Sequence, residues 1–217
     1  MEKRVFTISE LRAADTGKIT GHAAVFNSPT RIYRDMWERI APTAFTRALQ
    51  EKQDVRALFN HDPNFVLGRS KTGSLKLSED SRGLAIEIDP PDTQWAKDLM
   101  TSIKRGDIDQ MSFAFRTKKD SFEETIIEGE KVVLRTLMDV DLMDVSPVTF
   151  PAYEDTDLQA RSNVPEEVRQ KVAEFIQSRA KENLPPEGAG APTGPNWEES
   201  QERRGLMRRR VELAEKI

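Results

Sequence analysis

Two short polar segments contain the side chains with which this chain could do chemistry. Residues 59–62 read Phe-Asn-His-Asp and include His61, and residues 111–115 read Met-Ser-Phe-Ala-Phe and include Ser112. A serine hydroxyl becomes an effective nucleophile when an imidazole accepts its proton, and the two groups can come from distant strands. Histidine and serine are also ordinary residues in and beside strands, so the pattern leaves a structural role open beside nucleophilic catalysis.

The overall composition narrows the choice of chemistry. The chain has 217 residues, no cysteine, two histidines and a formal net charge of -4. Without cysteine there is no disulfide and no thiolate catalysis, and two separated histidines make no metal-binding motif. We therefore expect neither a cofactor nor a metal. The acidic balance gives no reason to expect nucleic acid, and no apolar run suits a membrane span or a signal peptide.

Strand patterns place both candidate residues in one domain, predicted to comprise residues 1–160. Alternating apolar and polar side chains, as at residues 84–88, are typical of strands that bury one face. Two predicted helices, at residues 42–49 and 92–103, interrupt the strands. The pattern favours a mainly β fold with helices (α+β), built as a closed or nearly closed barrel with the helices outside. The predicted strands are residues 4–8, 18–26, 36–40, 55–60, 65–67, 74–77, 84–88, 110–116 and 142–150, with a hairpin at 126–137 that turns at residues 128–130.

The composition changes after residue 160. Residues 161–183 have the apolar spacing of an amphipathic helix, and residues 184–196 form a Pro/Gly linker that disfavours regular structure. Residues 197–217 predict a second, basic amphipathic helix. Its arginines are Arg203, Arg204, Arg208, Arg209 and Arg210. Such a helix is either a tether that docks on a partner or a solvated basic helix without a special role.

A further set of segments, taken in order along the chain, carries a family resemblance. Besides the segments around His61 and Ser112, the set comprises residues 21–27, 38–45, 66–69, 83–84, the helix that starts at 92, and residues 144–153. Together these segments resemble the prohead (capsid maturation) proteases of tailed bacteriophages, which are related to assemblin, the herpesvirus assembly protease. No single segment is specific to this family, but the ordered set is.

The resemblance implies a serine endopeptidase on a herpesvirus-protease-like β-barrel surrounded by helices. Carried over by position, Ser112 is the nucleophile, His61 the general base and Asp144 the third catalytic residue. Many relatives have glutamate where this chain has Asp144, which is one methylene group shorter but still an anion able to orient the imidazole. Strand alternation predicts that Ser146 lies on the same side as Asp144.

Three other acidic residues are alternatives for the third role: Asp139, Asp141 and Glu154. Simple alternation favours Asp144 over Asp141. It places Asp144 and Leu142 on one side of the strand, whereas Asp141 lies on the opposite side.

Two further residues were considered for a role at the site. His22 is the other imidazole of the chain, and its place inside a predicted strand favours a structural or exposed histidine. Arg69 follows the His61 segment, where it either braces that segment or the oxyanion loop, or forms a surface ion pair.

The resemblance also implies a substrate and a place of action. The substrate would be the scaffolding segment of a major capsid protein, cut inside the assembling procapsid in the host cytoplasm. Such enzymes usually cut themselves as well, which predicts removal of the tail by a cut within or near residues 160–196. A homodimer is implied, whereas nucleic acid and membranes are not. The alternatives are a non-catalytic scaffold or shell assembly protein with the same fold, and a hydrolase acting on another acyl substrate.

Overall fold

The structure, a computed structural model, describes residues 1–6, 11–14, 16–33, 35–150 and 164–182. The chain divides into two compact units, Met1–Asn163 and Val164–Ile217. The strands described in the first unit are β1 (Glu2–Phe6), β2 (Arg12–Ala13), β3 (Ile19–Val25), β4 (Thr30–Tyr33), β5 (Met36–Ile40), β6 (Arg56–Phe59), β7 (Asp62–Arg69), β8 (Leu75–Glu79), β9 (Gly83–Ile88), β10 (Gln110–Ile127) and β11 (Glu130–Val148). Its helices are α1 (Thr46–Gln50) and α2 (Gln94–Arg105), with a 3-10 turn at Ser70–Thr72.

Strand pairing divides these strands between two sheets. The larger sheet has the order β1-β10-β11-β5-β4, with β6 paired to β11 and to β7, and the smaller has the order β2-β3-β9-β8. An isolated bridge between Phe26 and Ile40 connects them. The prediction of a mainly β fold with a few helices is therefore confirmed. The predicted closed barrel is not found among the described residues, because β1 and β4 end one sheet and β2 and β8 end the other.

The apolar core combines side chains from both sheets and from the two helices. Phe113 and Phe115 of β10 are buried in this cluster, together with Ile86 of β9 and Phe45, which precedes α1. The ring of Phe45 meets Phe113 edge-on at 5.5 Å between centroids. Because side chains alternate along a strand, β10 directs Phe113 and Phe115 to the core and Ser112 to the opposite face.

The two longest strands, β10 and β11, replace two separate strands and a hairpin of the sequence prediction. β10 and β11 pair antiparallel along their length, with register shifts at three places, and are joined at Glu128 and Gly129, whose φ angles are 54° and 81°. The segment between the predicted strands is polar, but its charges have partners across the pair. Asp120, for example, accepts a 2.9 Å hydrogen bond from Nε of Arg135 on β11. The alternation of apolar and polar residues therefore does not predict a polar strand whose charges are paired with a neighbouring strand.

Charged side chains are also buried on the core face of the larger sheet. We call Glu2, Arg4, Glu38 and Arg135 the ionic cluster. Arg4 binds Glu2 at 2.8 Å and Glu38 at 2.5 Å, and Arg135 binds the same two carboxylates at 2.6 and 2.8 Å. Each of the four residues is at most 5% exposed. The two guanidinium groups therefore bridge three strands of the sheet, β1, β5 and β11.

Both helices of the first unit begin later than the sequence predicts. Proline at 42 suggested a helix start, but residues 42–45 form turns and Thr43 has a φ of 75°. Helix α1 begins at Thr46, where the carboxylate of Glu79 accepts hydrogen bonds from the Phe45 amide at 2.9 Å and the Thr46 hydroxyl at 2.5 Å. A side chain from β8 thus determines where this helix starts.

The second unit contains helix α3 (Glu166–Glu182), which lies within the predicted helix at 161–183. Val168, Val172 and Ile176 recur along it at the spacing of one helical face. The predicted linker at 184–196 and the predicted basic helix at 197–217 lie outside the described residues. Within the part of the chain that is described, no helix combines the length and the hydropathy needed to cross a membrane.

Candidate active site

His61 is presented by an unusual tight turn. Strands β6 and β7 pair at Phe59 and Asp62, so the connection between them consists of Asn60 and His61 alone. Both have positive φ angles, 53° and 57°. Two-residue hairpin turns of this kind favour Asn followed by Gly, because a side chain is strained in the left-handed region. Histidine at the glycine position is the sort of local strain that concentrates at functional sites.

Asn60 ties this turn to the end of β11. Its backbone N–H donates to the carbonyl of Pro147 at 3.0 Å. Its side-chain amide donates to Thr149 Oγ1 at 3.1 Å and accepts from the Thr149 backbone N–H at 2.9 Å. Three hydrogen bonds therefore hold the residue next to His61 against the strand that carries Asp144.

Ser112 and Asp144 lie on the adjacent strands β10 and β11. Ser112 is directly opposite Ser146, and Ala114 is opposite Asp144. Residues directly opposite each other project from the same face of a sheet. Ser112, Ala114, Asp144 and Ser146 consequently share the face that points away from Phe113.

A β-bulge brings Asp144 to this face. Phe115 is opposite Leu142 while Ala114 is opposite Asp144, so Met143 is an extra residue on β11. A bulge shifts the alternation by one residue. Leu142 therefore lies on the core face with Phe115, and the prediction that it shares a side with Asp144 is wrong.

The same bulge corrects the prediction for Asp141. This residue is opposite Arg116, and Arg116 alternates with Ala114 and Ser112 along β10. Asp141 thus lies on the same face as Asp144 and not on the opposite one. Asp141 and Asp144 therefore share a face of the sheet, and only their hydrogen-bond partners distinguish them.

His61 connects Ser112 to Asp144 through its two ring nitrogens. Nε2 lies 2.6 Å from Ser112 Oγ, and Nδ1 lies 2.5 Å from Asp144 Oδ1. In the neutral tautomer that suits this geometry, Nδ1–H donates to the carboxylate and Nε2 accepts the proton of the serine hydroxyl. The side chains of His61 and Asp144 are only 8% and 10% exposed, so little water competes for these hydrogen bonds.

Comparison with known proteins gives the same class of enzyme. The family model described as caudovirus prohead serine protease matches residues 6–171, a span that includes His61, Ser112 and Asp144. The chain belongs to this family. The prohead protease of Enterobacteria phage HK97 is 30% identical over 163 residues, which cover 73% of this chain and 68% of that protein. No solved structure matches the chain. The family resemblance and the prediction of a serine protease are confirmed.

In this prohead protease family member, a fourth polar side chain joins the site. Ser146 is fully buried, and its hydroxyl donates to Asp144 Oδ1 at 2.9 Å. Its Oγ is also 3.4 Å from His61 Nδ1. Sequence reasoning placed Ser146 beside Asp144 but assigned it no role. The signal available was the two-residue spacing, which puts both side chains on one face of a strand.

The alternative acidic residues have other partners. Arg47 binds Asp139 at 2.9 Å and Asp141 at 2.7 Å. Burial raises the pKa of Asp141, but hydrogen bonds from Arg47, Gln53 and Lys118 outweigh it and lower the pKa to about 2. Asp141 is thus an anion bound to cations and an amide. The remaining alternative, Glu154, lies outside the described residues.

His22 and Arg69 also have carboxylate partners. His22 Nε2 lies 2.8 Å from Asp80, and the hydrogen bond from His22 is the largest cause that lowers the pKa of Asp80 to about 2. Arg69 forms a two-point pair with Asp54 at 2.7 and 2.5 Å, and both side chains are more than one third exposed. Arg69 matches the ion-pair interpretation, at the base of the β6–β7 hairpin.

The described residues contain no group of three or more acidic or histidine side chains arranged to hold a metal ion. The side chains that surround Ser112 instead supply an imidazole, a carboxylate and a second hydroxyl. This set suits acyl transfer by a serine nucleophile.

Proposed function

We propose that Ser112, His61 and Asp144 are the catalytic residues of this serine protease and that it cleaves the scaffolding segment of a major capsid protein. The observation that carries the assignment is the hydrogen-bonded series from Ser112 through His61 to Asp144, at 2.6 and 2.5 Å. It occurs in a chain whose family consists of prohead serine proteases. The non-catalytic assembly protein has no comparable support.

In the proposed reaction, Ser112 Oγ attacks the carbonyl carbon of the scissile peptide bond while His61 Nε2 accepts its proton. The tetrahedral intermediate collapses when His61 returns this proton to the leaving amine, and an acyl-enzyme remains on Ser112. Water then repeats the sequence and releases the acid. Asp144 keeps the imidazole in the required tautomer and stabilises the imidazolium that forms in each half of the reaction.

Access to the nucleophile is a condition of this mechanism. Ser112 has no exposed surface in the structure. A peptide carbonyl reaches Oγ only when part of the surrounding chain moves aside. We therefore infer that substrate binding includes a rearrangement near Ser112.

The proposed biological setting follows from the family. A protease of proheads acts where the capsid protein is assembled, so we place its action inside the procapsid in the host cytoplasm. We also propose that the enzyme cuts its own chain within or near residues 160–196. Proline and glycine disfavour regular structure in 184–196, and proteases cleave extended chain more readily than folded strands. The resemblance favours a homodimer, which analytical ultracentrifugation tests.

Two measurements test the assignment of Ser112. A fluorophosphonate probe should label the purified protein, and Ser112→Ala should abolish the label. Ser121→Ala is the matched control, because Ser121 is an exposed serine on the same strand. Persistence of the label in Ser112→Ala would move the nucleophile elsewhere.

The substrate is tested separately. Co-expression with the major capsid protein of the same phage, followed by mass spectrometry, should yield a shortened capsid protein and a shortened protease. Ser112→Ala should leave both at full length. An intact capsid protein beside an active, labelled enzyme would rule out the proposed substrate and leave the protease assignment standing.

A further inference from the structure

We propose that Ser146 is a positioning residue that holds the Asp144 carboxylate against His61. The inference rests on the proposed roles of Ser112, His61 and Asp144. Ser146 is fully buried and donates its hydroxyl proton to Asp144 Oδ1 at 2.9 Å. The same oxygen lies 2.5 Å from His61 Nδ1. Both donors converge on one carboxylate oxygen, so the hydroxyl restricts the orientation of the group that orients the imidazole.

The strand geometry explains how Ser146 performs this role. Ser146 lies two residues after Asp144 on β11, so both side chains project from one face. It is also directly opposite Ser112 on β10. The backbone that places Ser146 is therefore in register with the backbone that carries the nucleophile. Through its hydroxyl, the orientation of the Asp144 carboxylate is tied to a backbone position that lies directly opposite Ser112.

The bulge at Met143 makes such a restraint useful. At a bulge the strand bends, which changes the direction of the side chain beside the extra residue. Asp144 follows the extra residue Met143, and its backbone is paired with Ala114 on β10 and with Arg56 on β6. This pairing fixes the backbone but not the carboxylate, and the hydrogen bond from Ser146 restrains the carboxylate itself. A buried carboxylate also needs donors to remain charged.

The test measures the rate at which a fluorophosphonate labels Ser112, because this rate reports the nucleophile without requiring the capsid substrate. Ser146→Ala should lower the rate about 10- to 100-fold, the loss expected when a hydrogen bond to a charged group is removed. Cleavage of the capsid substrate should show the loss in kcat with KM unchanged. Ser146→Cys keeps a similar shape with a weaker donor and should give an intermediate rate.

A double-mutant cycle separates positioning from general structural damage. In an Asp144→Ala background there is no carboxylate to hold, so Ser146→Ala should cause no further loss in labelling rate. The matched control is Thr136→Val. Thr136 has a buried hydroxyl on the same strand, bonded to Arg39 at 3.0 Å, and its loss should leave labelling unchanged.

The outcomes are distinct. Labelling of Ser146→Ala or Ser146→Cys at the wild-type rate overturns the proposal. An equal loss with and without Asp144 also overturns it, because Ser146 would then act on the fold. If Ser112→Ala is still labelled, the proposed catalytic assignment fails instead, and this control therefore accompanies every measurement.

Discussion

The ionic cluster and the site around His61 are both buried and polar, but they balance their charges differently. We call His61, Ser112, Asp144 and Ser146 the His61 cluster. In the ionic cluster two guanidinium groups are shared by carboxylates, and Asp120 supplies a further one to Arg135. The His61 cluster has one carboxylate and no permanent cation. The carboxylate gains a cationic partner only when the imidazole accepts a proton, and this proton transfer is the event that activates a serine.

The two clusters also differ in how the fold assembles them. Glu2 and Arg4 lie opposite Phe115 and Phe113, so they reach the core face through the regular register of the sheet. The His61 cluster is on the other face and requires two irregular features, a bulge at Met143 and a left-handed turn at His61. The comparison shows that regular register buries the ionic cluster, whereas a bulge and a left-handed turn bring Asp144 and His61 together with Ser112.

The largest expected effect separates Asp144 from Asp141. Asp144→Asn should lower kcat about 10,000-fold with unchanged thermal stability, because an amide cannot hold the imidazole in the required tautomer or stabilise the imidazolium. Asp141→Asn is the matched control and should stay within about threefold of wild type, since its carboxylate is bound to Arg47. Cleavage assays on the capsid substrate check both variants. The reverse ranking would assign the third role to Asp141.

A change in the ionic cluster should affect stability and not chemistry. Arg135→Met leaves two buried carboxylates without one of their cations, which costs about 3–5 kcal/mol of unfolding free energy. Denaturant unfolding measures this loss. Lys97→Met is the control, because Lys97 and Asp92 form an exposed pair whose loss costs about 0–1 kcal/mol. Equal losses in the two variants would show that the ionic cluster contributes no more than a surface pair.

Acid should destabilise the protein through Glu2. Burial raises the pKa of Glu2, but a hydrogen bond from Arg135 and the charges of Arg4 and Arg135 outweigh it and lower the pKa to about 2. Because this lies below the usual 4.5, the carboxylate stabilises the fold fully above pH 4.5 and loses that contribution as pH falls through about 2. The contribution is on the order of 3 kcal/mol.

Unfolding free energies measured between pH 6 and pH 2 test this expectation. Glu2→Gln should flatten the pH dependence markedly. Glu87→Gln should flatten it less, because the Glu87 side chain is 36% exposed and solvent screens its hydrogen bonds to Lys18 and Lys76. If Glu2→Gln and wild type show the same slope, the ionic cluster does not control acid stability.

The smallest expected effect concerns the turn that presents His61. Asn60→Ala removes two side-chain hydrogen bonds to Thr149 and places alanine at a φ of 53°. We expect kcat to fall about 3- to 10-fold, as for the loss of a neutral hydrogen bond. Thr149→Val keeps the backbone bond and should lose less. Unchanged kcat in Asn60→Ala would show that strand pairing alone holds His61 in place.

Much of the His61 cluster was predictable because its parts lie in recognisable segments. The ordered segments indicated the family, and the alternation of apolar and polar residues located the centre of most strands. Met-Ser-Phe-Ala-Phe already implies that Ser112 faces away from its aromatic neighbours, since alternation within one strand is a local property.

Other features depended on pairing between strands. Leu142 and Asp141 were placed on the wrong faces because an extra residue at Met143 is defined only against β10. The polar half of β10 was missed because the partners of its charges, such as Arg135, lie on another strand. The start of α1 depends on Glu79 from β8 in the same way.

The sequence by itself determined the class of enzyme and the mainly β character of the fold, and it singled out Ser112, His61 and Asp144 as the side chains proposed to react. The tertiary structure decided which face of the strand each carboxylate occupies and that the Ser146 hydroxyl reaches Asp144. It also decided that the charged side chains of the ionic cluster are buried on the core face of the larger sheet. The physical reason is that residue types and their local spacing are properties of one strand. Register, bulges and buried ion pairs arise only when two strands pair.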